Sequence, residues 1–167
     1  MNAIEDLLKQ ETIRRLEEGL GRIHKCVGML SDDHLWHRPN ANVVSIGNLI
    51  LHLTGNVGQW IVATLGRKPD QRQRRTEFDT DRSDRVKLIG DLDRTIQQAK
   101  ITINALSIED LERIWEVQVY KESGVAILVH VAEHFSYHVG QITLHTKLLL
   151  DVDTGYYAGA DLERRQS

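Results

Sequence analysis

The chain has 167 residues, of which 41% are hydrophobic and 27% charged, as is typical of one globular domain with an apolar core. Its formal net charge of −3 gives no electrostatic basis for binding nucleic acid or an anionic membrane. The one cysteine, Cys26, excludes an internal disulfide framework and is typical of a reducing compartment. The acidic, amphipathic N-terminus differs from a signal peptide, and no apolar run approaches the roughly 20 residues that span a bilayer. We therefore expect a single cytoplasmic domain over residues 1–167.

Helical periodicity dominates the first half of the chain, and the only two prolines lie between the periodic segments. Apolar residues spaced by three to five positions predict a first helix over about residues 4–30. Ser45 is expected to cap a second helix, which extends over residues 46–65. The polar, charge-dense stretch 66–75 is expected to be an exposed loop.

The third periodic segment predicts a helix over about residues 84–106, with Ser83 as its N-cap. Residues 107–114 predict a short helix. The apolar and polar residues of 115–120 alternate, which is typical of a brief extended arm.

Ser123 and Gly124 are expected to begin a fourth long helix that ends near residue 150. The tail 151–160 lacks periodicity and is expected to be loose or to pack across the end of the fold. Four long helices without a convincing sheet predict an all-α four-helix bundle. The second and third connections are long enough to permit a topology other than a simple series of hairpins.

Histidines recur at helical spacing in the fourth helix. His134 and His138 are one turn apart, so their imidazoles lie on one face and can chelate one metal ion. His52 flanks an apolar stripe of the second helix in the same way. Three protein nitrogens with a free fourth position are the ligand set of an open catalytic metal site. The sequence therefore predicts a metal site at His52, His134 and His138; the alternative is that these are partly exposed histidines with no ligand.

Other residues near this pair are given different roles. His130 lies about 12 Å along the helix axis from His138, which is too far to share one ion easily. His145 lies two turns beyond His138 and is expected to serve structure, a second layer around the site or an interface. Gln141 follows His138 by three residues and is expected to hydrogen-bond its second ring nitrogen.

The stretch 66–75 also contains the one basic cluster of the chain. Neighbouring acidic residues dilute this cluster, and aromatic side chains are not interleaved with it. These features favour a solvated loop over an anion-binding role. The members of the cluster are Arg67, Lys68, Arg72, Arg74 and Arg75.

Two blocks of the sequence resemble the DinB-like superfamily of bacterial metal-binding four-helix bundles. The first block is 30–56, which contains His52, and the second is the motif H-x-x-x-H-x-G-Q of residues 134–141. The resemblance covers almost the whole chain, and the continuation Gly-Asn-x-x-Gln-Trp resembles a branch described only as uncharacterised. Carried over by position, the metal triad of the superfamily falls on His52, His134 and His138. The resemblance also implies an up-up-down-down bundle and frequent homodimers.

This superfamily includes thiol-dependent S-transferases and maleylpyruvate isomerases. The resemblance and the open triad predict a metal-dependent transferase that uses a divalent ion, zinc or nickel first, to activate a low-molecular-weight thiol. The substrate would be an electrophilic small molecule.

Two alternatives stay open. The first is metal-assisted hydrolysis, for which Glu133 or Glu77 is the nominal general base. The second is a non-enzymatic, metal-binding stress-response scaffold that dimerises. A structural metal site would be closed by a fourth protein ligand, whereas an enzyme needs an accessible pocket at the open position.

Overall fold

The predicted four-helix bundle is confirmed by the computed structural model, which describes residues 3–165. The ends of the predicted domain, residues 1–2 and 166–167, lie outside the described part. Helices α1, α3, α5 and α7 form the bundle, and a π-helix continues α3. The elements are α1 (Ala3–Met29), α2 (Asp32–Trp36), α3 (Ile46–Val57), the π-helix (Gly58–Leu65), α4 (Arg74–Asp79), α5 (Arg85–Ala105), α6 (Ile108–Glu112), β1 (Ile114–Val117), β2 (Tyr120–Ser123) and α7 (Gly124–Leu150).

Side-chain contacts show that α1 and α5 are antiparallel. His24 Nε2 lies 2.7 Å from Asp93 Oδ1, in the middle of α5. Arg85, the first residue of α5, donates a hydrogen bond of 2.9 Å to the carbonyl of Val27 near the end of α1. The start of α5 therefore meets the end of α1.

By contrast, α5 runs parallel to α3 and its π-helical continuation. A side chain added at Gly58 would meet Thr95, and one added at Gly66 would meet Thr102. The two elements therefore advance in the same direction along the bundle. The long connection between Leu65 and Arg85 has to carry the chain back to the end at which α3 began.

The last helix, α7, is antiparallel to α3. His52 lies against His138, whereas Trp60, further along the chain, lies against His130. The helices α1, α3, α5 and α7 consequently run up-down-down-up. The expected order of directions, up-up-down-down, was therefore wrong. The long connection that joins two parallel helices lies between α3 and α5, not between α1 and α3.

Local hydrogen bonds explain where the helices begin. Ser45 caps α3 as predicted. Its side chain accepts the backbone N–H of Asn48, and the side chain of Asn48 accepts the backbone N–H of Ser45. Ser123 caps α7, at the point where the sequence predicts that this helix begins. The prediction of Ser83 as the cap of α5 was wrong by one residue, because the carboxylate of Asp84 accepts the backbone N–H of Lys87 at 2.7 Å.

The predicted second helix changes its geometry halfway. The α-helical pattern ends at Val57, and residues Gly58–Leu65 form a π-helix. The backbone N–H of Gly66 bonds the carbonyl of Ile61, five residues earlier, at 2.9 Å. Segments of π-helix are rare and are frequently found at functional sites.

The predicted extended arm is one strand of a two-stranded antiparallel hairpin, so the expectation of no sheet holds only for the bundle itself. Ile114 pairs with Ser123, and Val117 pairs with Tyr120. Gln118 takes a positive φ of 54° in the connecting turn.

The tail after α7 packs against the bundle, one of the two arrangements expected for it. Thr154 is buried, and the hydroxyl of Tyr156 lies 3.0 Å from Cys26 Sγ and 2.9 Å from Thr143 Oγ1. Cys26 is a buried residue of the core. Within residues 3–165, no helix combines the length and apolar content that crossing a membrane requires.

Candidate metal centre

Three histidines meet at the interface between α3 and α7. His52 Nε2 lies 2.9 Å from His134 Nε2, and the rings of His134 and His138 are 4.5 Å apart and nearly perpendicular, at 84°. One ligand atom from each of the three lies within 4.8 Å of the other two. These are the residues that the sequence selects, and the fold brings them together. We call this cluster the histidine triad; it forms a candidate metal site.

The second ring nitrogen of two triad members is already engaged. His52 Nδ1 lies 2.8 Å from Glu77 Oε2, and His138 Nδ1 lies 2.6 Å from Gln141 Oε1. The contact of Gln141 is the one that its helical spacing predicts. A neutral imidazole that donates from Nδ1 carries its lone pair on Nε2, so these contacts present Nε2 as the ligand atom.

The surroundings of His134 and His138 favour neutral imidazoles. Burial lowers the pKa of His134 to about 3, with further contributions from the nearby His138 and His52. Burial also lowers the pKa of His138, although the hydrogen bond to Gln141 opposes this effect. Neutral imidazole is the form that binds metal ions, so the donor set fits a divalent cation.

Glu77, one of the two nominal general bases, lies behind His52 and is 7% exposed. Arg72 approaches it with two hydrogen bonds, from Nε to Oε1 at 2.7 Å and from Nη2 to Oε2 at 2.9 Å. Burial on its own would raise the pKa of Glu77, but the hydrogen bonds from Arg72 and His52 outweigh it and the pKa is lowered. The carboxylate is therefore charged and paired.

The segment that carries this pair is only partly the exposed loop that the sequence predicts. Residues Arg74–Asp79 form α4, and the side chain of Arg72 is 3% exposed because its charge is paired with Glu77. Arg67 and Arg75 keep exposed side chains, which pair with Asp110 and with Asp79 respectively. Most of the basic cluster is thus solvated, as expected, whereas Arg72 is not.

Hydrogen bonds from side chains to backbone carbonyls hold the end of this segment on α3. Asn48 Nδ2 donates to the carbonyls of Glu77 and Thr80 at 3.0 and 2.7 Å. Arg38 donates to the carbonyl of Phe78 at 2.7 Å and to Asn48 Oδ1 at 3.0 Å. The fixed segment places Glu77 directly behind His52.

His130 and His145 lie outside the triad, as expected. The His130 ring packs at a tilt of 31° against Trp60 of the π-helix, with 4.0 Å between the ring centroids. Its centroid lies 5.4 Å from that of His134. It therefore borders the candidate site without supplying a ligand atom to it. Burial lowers the pKa of His145, with a smaller contribution from His37.

The candidate site is open rather than closed by protein. Among residues 3–165, no fourth His, Cys, Asp or Glu side chain joins the triad as a ligand. His134 and His138 are partly exposed on α7. A cavity of about 700 Å³ lies beside the segment, and its walls include Arg72 and Glu77 but none of the three histidines.

The fold and the triad define a helical-bundle protein with an open three-histidine candidate metal site. The sequence pattern of the family described as "Protein of unknown function (DUF1572)" matches residues 4–156, and the chain belongs to this family. No curated protein sequence matches the chain.

Solved structures of other proteins share this fold, among them one from Bacillus subtilis and one from Enterococcus faecalis. A crystal structure of a DinB-like protein, YjoA, from Bacillus subtilis has a TM-score of 0.64 at 14% identity, with coverage of 86% of this chain and 94% of the other. A conserved protein from Enterococcus faecalis has a TM-score of 0.73 at 14% identity, with coverage of 91% and 99%. The DinB-like fold expected from the sequence is thereby confirmed.

Proposed function

We propose that the protein binds a divalent metal ion through His52, His134 and His138. The observation that carries the proposal is the convergence of three imidazoles whose ligand atoms lie within 4.8 Å of one another. The contacts of Glu77 and Gln141 with the other ring nitrogens support it. Imidazole ligands suit several divalent ions, and zinc and nickel are the ions that we propose.

We further propose that the site serves a transferase that acts on a low-molecular-weight thiol and a small electrophilic substrate. When bound, the ion would supply the positive charge that favours the thiolate form of a thiol. The chain itself contributes neutral ligands, which leave that charge uncompensated, and a side open to solvent at His134 and His138. The proposed assembly is a homodimer.

Two features of the site make the alternatives weaker. A structural scaffold site is expected to be closed by a fourth protein ligand, and none joins the triad among residues 3–165. Hydrolysis needs a free general base, but Glu77 is already bonded by His52 and Arg72, and Glu133 is exposed to solvent. Of the two enzymatic functions, we therefore propose the transferase ahead of the hydrolase.

Metal content of protein purified without a histidine tag tests the binding site. We expect about one zinc or nickel ion per chain by elemental mass spectrometry, lost in His52→Ala and in His138→Ala. His145→Ala is the matched control, because this histidine lies outside the triad, and it should retain the ion. A wild-type chain that takes up neither zinc nor nickel would contradict metal binding.

A separate assay tests the transferase. Metal-loaded protein is incubated with a panel of thiols and electrophiles, and the rate of conjugation is measured with and without a chelator. We expect a rate that needs both the metal and the thiol. Binding of metal without any thiol-dependent rate would reject the transferase and leave the metal site standing.

A further inference from the structure

We infer that Glu77, held in place by Arg72, is a positioning residue that fixes the orientation and tautomer of His52. Its carboxylate keeps the proton of the imidazole on Nδ1 and so leaves the lone pair of Nε2 directed at the other two histidines. This inference rests on the metal binding proposed above and extends it to two residues outside the ligand set.

The first step is the contact between His52 and Glu77. The two side chains are 7% and 8% exposed, and Nδ1 lies 2.8 Å from Oε2. An ionised carboxylate can only accept hydrogen bonds, so the imidazole has to donate from Nδ1. A neutral imidazole has one N–H group, and its Nε2 therefore carries the lone pair that a metal needs.

The second step is the fixation of Glu77 itself. Arg72 bonds both carboxylate oxygens, which sets the plane of the carboxylate as well as its position. Arg72 in turn donates to Gln59 Oε1 of the π-helix at 3.0 Å, and its backbone N–H bonds Asp70. Arg72 thus holds the carboxylate at both of its oxygens, next to His52.

The third step is the space that the chain leaves for this contact. A Cβ atom at residue 55 would lie 2.9 Å from Glu77 Cδ and 3.1 Å from Arg72 Nε. Gly55 is three residues after His52 on α3, and only the absence of a side chain there lets the carboxylate approach. Glycine therefore has a steric role at this position.

Arg72 also determines which nitrogen of His52 would carry the proton if Glu77 were removed. Its Nη2 atom lies 3.2 Å from His52 Nδ1. A guanidinium can only donate, so without the carboxylate Arg72 would bond the lone pair of Nδ1 and move the imidazole proton to Nε2. That tautomer cannot offer Nε2 to a metal. Removing Glu77 alone should therefore reverse the tautomer of His52 rather than merely loosen the ring.

The test compares Glu77→Leu and Glu77→Gln with the wild type and with Glu133→Gln. Glu133 is an exposed carboxylate on α7 that neighbours His134 in sequence, so its substitution makes the same change in charge near the site without touching His52. Zinc affinity is measured by competition with a chelator. We expect about 10- to 100-fold weaker binding for Glu77→Leu, a smaller loss for Glu77→Gln, whose amide oxygen still accepts, and no change for Glu133→Gln. Equal affinities for Glu77→Leu and wild type would overturn the inference, as would equal losses for Glu77→Leu and Glu133→Gln.

A second readout does not need metal. Long-range proton–nitrogen NMR spectra of the metal-free protein report which nitrogen of His52 carries the proton. We expect Nδ1 in the wild type and Nε2 in Glu77→Leu. An unchanged tautomer in that variant would overturn the inference even if zinc affinity fell. If the wild type binds no zinc, the proposed metal site fails, while the tautomer measurement still decides the role of Glu77.

A third variant covers the case in which Glu77→Leu does not fold, since it leaves the buried charge of Arg72 unpaired. Gly55→Ala displaces the carboxylate without altering any charge. Circular dichroism checks that this variant retains its helices. We expect weaker zinc binding and loss of the Nδ1 proton signal of His52. Wild-type values of both quantities would count against the positioning role.

Discussion

Close packing of α1 against α7 at Gly19 predicts a measurable cost for a single added methyl group. A Cβ atom at Gly19 would lie 2.7 Å from Phe135 Cε1, 2.8 Å from its Cδ1 and 3.2 Å from Val139 Cγ2. Non-bonded carbon atoms prefer about 3.5–4.0 Å. The Phe135 ring is 1% exposed and packed within the core, so it cannot turn out into solvent. Gly19→Ala must therefore separate the two helices or distort the ring.

The size of this effect follows from a comparison with Gly21→Ala. Overpacking a core typically costs about 1–3 kcal/mol, whereas replacing glycine by alanine inside a helix gains about 0.8–1.0 kcal/mol. Gly21 lies in the same helix with nothing within 4 Å of its added Cβ, so Gly21→Ala should show the gain alone. The difference between the two variants isolates the packing cost. We expect Gly19→Ala to be about 1–3 kcal/mol less stable than Gly21→Ala.

Urea unfolding of the metal-free protein, followed by circular dichroism, measures this difference. The slope of the free energy of unfolding against urea should be the same in both variants, so that the midpoints report stability. Equal midpoints for Gly19→Ala and Gly21→Ala would refute the reasoning, because they would show that the interface of α1 and α7 absorbs a methyl group freely.

The site and the tail supply further predictions. Gln141→Ala removes the acceptor 2.6 Å from His138 Nδ1 and should weaken zinc binding about 10-fold in a chelator competition; unchanged affinity would speak against its role. The pKa of His134 lies at about 3 instead of the ordinary 6.5, so the unfolded chain takes up the proton first and metal-free stability should fall as the pH drops below 6.5. Protonation of His134 can lower the free energy of unfolding by at most about 1.4 kcal/mol per pH unit. A flat profile of urea midpoints from about pH 7 to about pH 5 would contradict this expectation. Tyr156→Phe loses the hydroxyl contact with Thr143 and should cost about 1 kcal/mol in thermal unfolding, a loss that should be absent if the tail is not docked.

The helices of the bundle could be predicted because their signals are local. Apolar spacing marks α1 and α7, and the cap at Ser45 depends on residues only three positions away. The π-helix could not be predicted, since its apolar side chains satisfy an α-helical period equally well. The helix directions depend on the course of the connection between Leu65 and Arg85, which contains no periodicity to read.

The same distinction holds at the site. Spacing identifies His134 and His138 as a pair, and the position of His52 beside an apolar stripe adds the third residue. The resemblance carries over the same three. The buried pair of Arg72 and Glu77 could not be predicted, because it forms only when a charge-rich segment folds back onto α3. Composition alone assigns such a segment to solvent, and the one indirect signal is Gly55, whose missing side chain leaves room on the helix that carries His52.

The three histidines are unequally separated in the sequence, and this affects how the chain would acquire and lose an ion. His134 and His138 become neighbours as soon as α7 forms, whereas His52 is 82 positions away from His134 and arrives only when α3 docks. An ion held by all three would act as a reversible cross-link that closes a long loop of the chain. Such a cross-link restricts the unfolded ensemble much as a disulfide does, but it can be removed by a chelator. In a protein whose only cysteine is buried in the core, such an ion would tie two helices together without a disulfide.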